Sequence, residues 1–265
     1  MDLSNEIIIH VKKDQIEYLQ FKVLLEYGLV NCFTTKANDF NLDGRCDKSI
    51  TEYNYERICR SIGIDRNSIV RPNQSHLDVV QRVDELGIKY SDVDGLVTDK
   101  PGINLTLSFA DCTPILMYDP VNKAIANIHS GWKGTAKKIA PKAIENMQKE
   151  YGTNPKDIIV CIGPCIRQCH FEVSDDVKEI YEKEFSYLGV NKEIIKPEDG
   201  KEGKYMVDTT LVNKLLLNEK GVKEENIYDC NICTVCNGNI IHSFRADKEK
   251  SGRNVAILGL KRVHN

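Results

Sequence analysis

The chain predicts an α+β fold of mixed β-sheets packed in layers with flanking helices, an α/β/β/α-like sandwich. Three observations lead there. Short strand-like runs recur along the whole length, each bounded by turn residues. Helical patterns are fewer and scattered between them. Strand and helix do not alternate regularly, which argues against a βαβ array. No internal repeat, low-complexity tract or Pro/Gly/Ser linker divides the chain, so residues 1–265 read as a single domain.

The elements follow in order. Strand-like segments lie near 6–12, 16–22 and 29–34, and a helix opens at Ser49 with Glu52, a capping-box pair, and runs to about residue 62. Further strands are expected near 67–73, 78–83, 103–109, 113–118 and 124–129. A helix over 135–150 follows a glycine turn, with Pro141 shifting or kinking its start. A strand near 158–162 and a helix over 175–185 come next, then a helix over 209–220 capped by Asp208. Strands near 227–230, 240–245 and 254–261 complete the set.

Composition narrows the function. With 41% hydrophobic and 28% charged residues, the chain has the make-up of an ordinary globular enzyme. A net charge of −3 gives no electrostatic case for nucleic acid or an anionic membrane. The segment MDLSNEIIIHVKKDQ has too short an apolar run for a signal-peptide core, and no later run reaches the roughly 18 residues that span a bilayer. A cytoplasmic protein is expected. Ten cysteines in that compartment point to metal binding or catalysis rather than disulfides. Isolated ones such as Cys32, Cys46 and Cys59 read as small core or surface residues.

Three short stretches could carry chemistry. In RPNQSHLDVV, His76 sits in a polar turn with Gln74 two residues before it. In FADCTPILMYD, Cys112 follows Asp111 at the lip of an apolar run. In ANIHSGWKGT, His129 ends a strand that passes through Gly131, Trp132, Lys133 and Gly134 into a helix, a turn whose backbone N–H groups suit an anion. A cysteine beside a histidine and Asp111 would suit a hydrolase nucleophile. Two histidines and one cysteine would equally hold zinc with one position open. The three residues lie far apart in sequence, and spacing alone leaves both readings standing.

The strings CFTTK, NQSH, FADCTPIL, IHSGWKGT, IGPCI, FEV and SFRADKEKSGR occur in this order. Together they resemble the laccase-domain family, once called polyphenol oxidases or multicopper oxidases and now described as zinc-dependent purine nucleoside phosphorylases with adenosine deaminase activity. The likeness spans about residues 29–262, and ADC followed by HSGWKG is its most specific part. It implies one zinc per chain held by His76, Cys112 and His129, which become both metal ligands and catalytic residues. It also implies small-molecule partners, a nucleoside and phosphate. Phosphorolysis needs cations near the ribose, for which Lys36, Lys133 and Arg245 are the candidates, with Gln74 and Asp111 as further substrate contacts. Family members usually carry arginine where Lys36 and Lys133 stand, and lysine keeps the charge but loses the bidentate fork. Six histidines are too few for a true laccase, so copper oxidation is set aside.

Two further cysteine groups stand apart. CIGPCIRQCH places Cys161, Cys165 and Cys169 four residues apart with His170 adjacent, although Gly163 and Pro164 prevent a helix that would stack the thiols. CNICTVC gives Cys230, Cys233 and Cys236, part of an iron–sulfur run that lacks its fourth cysteine. A second metal is disfavoured there. The first reading is thus phosphorolysis of adenosine, inosine and methylthioadenosine to free base and (methylthio)ribose 1-phosphate, with adenosine deamination by the same metal. The competing readings are a cysteine hydrolase or amidase with Cys112 as nucleophile, editing peptidoglycan precursors, and a non-enzymatic zinc-stabilised cell-division or partner-binding protein.

Overall fold

Two six-stranded sheets lie at the centre of the molecule. A computed structural model describes residues 1–13, 15–43, 47–189 and 191–262, so Cys46 lies outside the described residues. The first sheet runs in the order Ile8–Lys13, Ile16–Phe21, Val30–Thr34, Asn254–Gly259, Asn104–Phe109 and Ile69–Val70. Only its last pair is parallel. The second runs Ile227–Asp229, Ile159–Ile162, Thr113–Asp119, Ala124–Ser130, Gly95–Thr98 and Val80–Arg82, with parallel pairs at both edges and antiparallel pairs between. A small antiparallel sheet joins Glu172–Val173, Tyr205–Val207 and Ile195–Pro197.

Side-chain alternation makes the layers. In the strand Asn254–Gly259, Ala256 and Leu258 face the second sheet, where Leu96, Leu116 and Ile125 meet them. Its Val255 and Ile257 face the other way, onto Tyr55, Ile58 and Cys59 of the helix Lys48–Ile62. The second sheet likewise presents Val97, Ile115, Met117 and Ile128 to Ile139, Ala143, Ile144 and Met147 of the helix Ile139–Tyr151. Helix, sheet, sheet and helix therefore stack as expected, and each sheet is buried on both faces. That is why every residue of Thr113–Asp119 and Ala124–Ser130 is buried instead of alternating with solvent. Asn127 crosses the sheet–sheet core, its Nδ2 donating to the carbonyls of Leu105 at 3.0 Å and Ala256 at 2.9 Å.

Several local expectations need correction. The helix Lys48–Ile62 is capped by Asp47, whose carboxylate accepts from the Ser49 N–H, and not by Ser49 with Glu52. The helix expected over 135–150 is two, Trp132–Ala136 and Ile139–Tyr151, broken at Lys138 with φ of 61°. Pro141 falls in the first turn of the second helix, where its missing N–H costs nothing. The segment 240–245 is no strand. Its end turns into the short helix Phe244–Asp247, capped by the Ser243 hydroxyl accepting from the Ala246 N–H. Gly95–Thr98 and the three-stranded sheet had no clear signal, because strands of two to four residues are too short to show a period. Cys32 and Cys59 pack in the core as expected. No helix among the described residues is long and apolar enough to cross a membrane.

Candidate metal centre and cavity

Strand register brings the separated residues together. Pro114 pairs with His129 and Thr113 with Ser130, so Cys112, just before one strand, lies at the same sheet end as His129. On the other side Gly95 pairs with Ile128, which sets Asp94 beside His129; the His129 N–H donates to the Asp94 carbonyl at 2.7 Å. His76 arrives on the NQSH turn. Gln74 fastens that turn to the first sheet, its Nε2 donating to the Ser108 carbonyl at 3.0 Å and its Oε1 accepting from the Ser108 N–H at 2.8 Å. The donor atoms of His76, Cys112 and His129 all lie within 4.8 Å of one another. The two imidazoles meet edge to face with centroids 4.7 Å apart.

Asp94 organises this group, and nothing in the sequence singled it out. Fully buried, it accepts from His129 Nδ1 at 2.7 Å. It also accepts from the backbone N–H groups of Ser75, His76 and Leu77, at 3.2, 3.1 and 2.8 Å. One carboxylate thus fixes both the imidazole and the turn that carries the other histidine. Burial pushes the Asp94 carboxyl up, but the His129 hydrogen bond and the Leu77 N–H outweigh it and hold it low. With Nδ1 engaged, His129 presents Nε2 as a ligand, the carboxylate–histidine arrangement that orients metal-binding imidazoles. Burial raises the Cys112 thiol, yet the charge and hydrogen bond of His129, with His76 beside it, bring it down to about 6. Burial lowers His129, and the Cys112 charge with the Asp94 hydrogen bond lifts it to about 9. The two shifts together favour a thiolate beside an imidazolium, whose Nε2 proton a metal ion would displace on binding. His76 and Asp111 have left-handed backbone, with φ of 60° and 85°, strain of the kind found at functional sites. Gly131 leaves room for the sulfur: a Cβ there would sit 3.0 Å from the Cys112 Sγ, which would have to shift to accept it.

The group lines a cavity of about 790 Å³, a size suited to a small-molecule ligand. Among the expected contacts, Gln74, Asp111 and Arg245 line it with the three donors. Asp111 is already engaged: it accepts from the Thr234 hydroxyl at 2.5 Å and from the Arg245 N–H at 2.6 Å. Its carboxylate ties two loops to the cavity wall. Arg245 donates to the carbonyls of His170 and Glu172, both at 2.9 Å, with its guanidinium over the Phe171 ring. Lys36 and Lys133 do not line this cavity. Lys36 borders a neighbouring one, 3.5 Å from Asp247, and Lys133 is exposed with its ammonium over the Trp132 ring. The helix that begins at Trp132 has only five residues, which leaves little dipole to hold an anion. Arg71 and Arg253, which the sequence did not single out, also line the cavity.

The other cysteines sort themselves. Cys161 and Cys230 are core residues, and Cys165 pairs with the Thr210 hydroxyl at 3.3 Å. Cys169, His170, Cys233 and Cys236 form a second group whose ligand atoms lie within 4.8 Å of one another.

A layered α+β chain with two histidines and a thiolate converging at a cavity defines a candidate metal-site protein. Comparison with known proteins makes the assignment: the chain belongs to the multi-copper polyphenol oxidoreductase laccase family, whose model matches residues 33–261. It is 31% identical over 217 residues to the purine nucleoside phosphorylase YlmD of Bacillus subtilis, covering 78% of this chain and 76% of that one. It is 32% identical to the purine nucleoside phosphorylase SSP1584 of Staphylococcus saprophyticus, covering 84% of this chain and 85% of that one. The crystal structure of YlmD from Geobacillus stearothermophilus superposes with a TM-score of 0.85 at 27% identity, over 96% of this chain and all of that one (100%).

Proposed function

We propose that this protein, folded as a single domain, is a zinc-dependent purine nucleoside phosphorylase. Its substrates are adenosine, inosine and methylthioadenosine, its products free base and (methylthio)ribose 1-phosphate, and adenosine deamination is a side activity. The observation that carries the reading is the convergence of His76, Cys112 and His129, backed by Asp94, on a cavity that Arg245 also lines. The printed names of its relatives support the reaction class. Three borderline and soft donors, with a carboxylate behind one imidazole, fit zinc with an open position. Laccase-type oxidation would need a further histidine-rich cluster. The other described histidines are engaged elsewhere: His10 with Glu17 at 2.9 Å, His242 with the Phe40 carbonyl at 2.9 Å and His170 with cysteines.

Held there, zinc would supply a Lewis acid that polarises a substrate oxygen or makes a water molecule more acidic. The protein does the rest. Arg245 offers a guanidinium to phosphate, and its two carbonyl bonds fix where that charge stands. Asp94 keeps His129 oriented, with Nδ1 committed to the carboxylate and Nε2 turned to the other donors. Phe171, Phe244 and Trp132 supply apolar wall for a purine and ribose to displace water from.

The test is base release from inosine as phosphate is varied. Release should rise with phosphate and saturate. Equal release in phosphate-free buffer would make the reaction hydrolysis and sink the phosphorylase assignment. One observation favours a second reading, a cysteine hydrolase: the Cys112 thiol lowered to about 6 beside His129 is also what a nucleophile requires. Zinc-loaded protein whose Cys112 reacts fast with iodoacetamide, losing activity while keeping metal, would select that reading.

A further inference from the structure

The second thiol–imidazole group lies outside the cavity, where two turns meet. Cys169 and His170 close the turn after IGPCI, and Cys233 and Cys236 belong to the turn that follows the strand Ile227–Asp229. A parallel bridge between Cys165 and Cys233 sets the turns side by side. His170 Nδ1 faces all three sulfurs, at 3.2 Å from Cys169, 3.5 Å from Cys236 and 3.7 Å from Cys233. The sulfurs of Cys169 and Cys236 stand 3.8 Å apart.

From these contacts we infer that Cys169, His170, Cys233 and Cys236 form a second, closed, structural zinc site that clamps the two turns together. The spacing is that of a tetrahedron. Zinc bonds of about 2.3 Å to sulfur and 2.0 Å to nitrogen place ligand atoms about 3.8 Å apart for sulfur pairs and about 3.5 Å for sulfur and nitrogen. The Cys169–Cys236 edge of 3.8 Å and the His170 edges of 3.5 and 3.7 Å lie close to these values, and the edge to Cys169, 3.2 Å, is shorter. A disulfide would use two sulfurs and give no reason for an imidazole nitrogen to face three. A polynuclear iron–sulfur cluster would spread its thiolates around a body several atoms across, and Cys230, the third member of the CNICTVC run, points into the core instead. Three thiolates this close repel one another, and a divalent cation removes that cost. Four protein donors leave no open position, so this is a structural site.

The clamp reaches the cavity through its neighbours. Thr234, between two of the ligands, donates to Asp111, and Arg245 holds the carbonyl of His170. The metal would thus fix the loops that carry Arg245 at the cavity wall.

The site is independent of the reaction, and metal counting tests it. Zinc per chain is measured by mass spectrometry on the intact protein purified under reducing conditions, for wild type, His129→Ala and the double variant Cys169→Ser/Cys236→Ser. Expected values are two, one and one. If the His76–Cys112–His129 centre is wrong but this site is right, wild type and His129→Ala both hold one zinc and the double variant holds none. A double variant with as much zinc as wild type overturns the proposal. Should that variant fold poorly, differential alkylation of wild type decides: Cys169, Cys233 and Cys236 should be protected together until a strong chelator is added. Ready labelling of Cys169 and Cys236 in zinc-loaded protein, or a disulfide between them, overturns it equally.

Discussion

The two thiol–histidine groups use the same donors for opposite ends. The His76–Cys112–His129 group is set on strand ends and a pinned turn, has three donors, and faces a cavity. The Cys169–His170–Cys233–Cys236 group sits on two turns, has four donors, and lies outside that cavity. The difference lies in what stands behind each ligand. Asp94 orients one histidine and the turn of the other, so the open site keeps its geometry without a fourth protein donor. No carboxylate touches the closed group's imidazole; Asp111 and the Cys165–Cys233 bridge hold its turns from outside, and a shared ion would lock the four ligands to one another. Openness requires a rigid scaffold, whereas closure can supply one.

The sharpest way to separate the groups is His129→Ala. It should abolish zinc at the open site and activity together while leaving the closed group's ion in place. A Lewis acid contributes several kcal/mol at a transition state, so kcat/KM for base release should fall on the order of a thousandfold or more. Full zinc retention would remove His129 from the ligand set.

Asp94→Asn probes the scaffold instead of the ligands. It keeps shape and removes the charge behind His129, which should weaken zinc at the open site by roughly 10–100-fold. Competition with a chromogenic chelator measures it, and an unchanged affinity would show that the carboxylate serves only the NQSH turn. Gly131→Ala is milder. Its Cβ, 3.0 Å from the Cys112 sulfur, should displace the thiolate at about 1 kcal/mol, roughly fivefold in zinc affinity, with the closed group untouched.

The smallest effect is a pH slope near the closed group. Burial raises the Asp229 carboxyl, but the hydrogen bonds and charge of Arg167, with Lys214, hold it below the usual carboxylate range. A carboxyl lowered on folding contributes stability above its unfolded pKa, about 3.9. That contribution is lost as pH falls through the lowered value. Denaturation midpoints of wild type should therefore drop more steeply in acid than those of Asp229→Asn, and parallel curves would refute the linkage.

Much of this was legible in the sequence. His76, Cys112 and His129 each sat in a short distinctive string, and the layers followed from many short strands with few helices. What was hidden acts through contact rather than pattern. Asp94 touches His129 from the neighbouring strand, and no spacing marks that. Lys36 and Lys133 looked like phosphate ligands because a charge is visible in sequence, but which way a turn points it is not. The regular spacing of Cys161, Cys165 and Cys169 suggested one group, while the fold puts the first two in the core and pairs the third with residues more than sixty positions away.

Zinc titration into metal-stripped wild type, with phosphate-dependent base release and iodoacetamide labelling of Cys112 followed at each addition, separates a ligand from a free nucleophile. Activity and protection of Cys112 should rise together, because the same thiolate is ligand and part of the catalytic centre. Full activity in the stripped protein, with Cys112 still open to alkylation, would contradict the account.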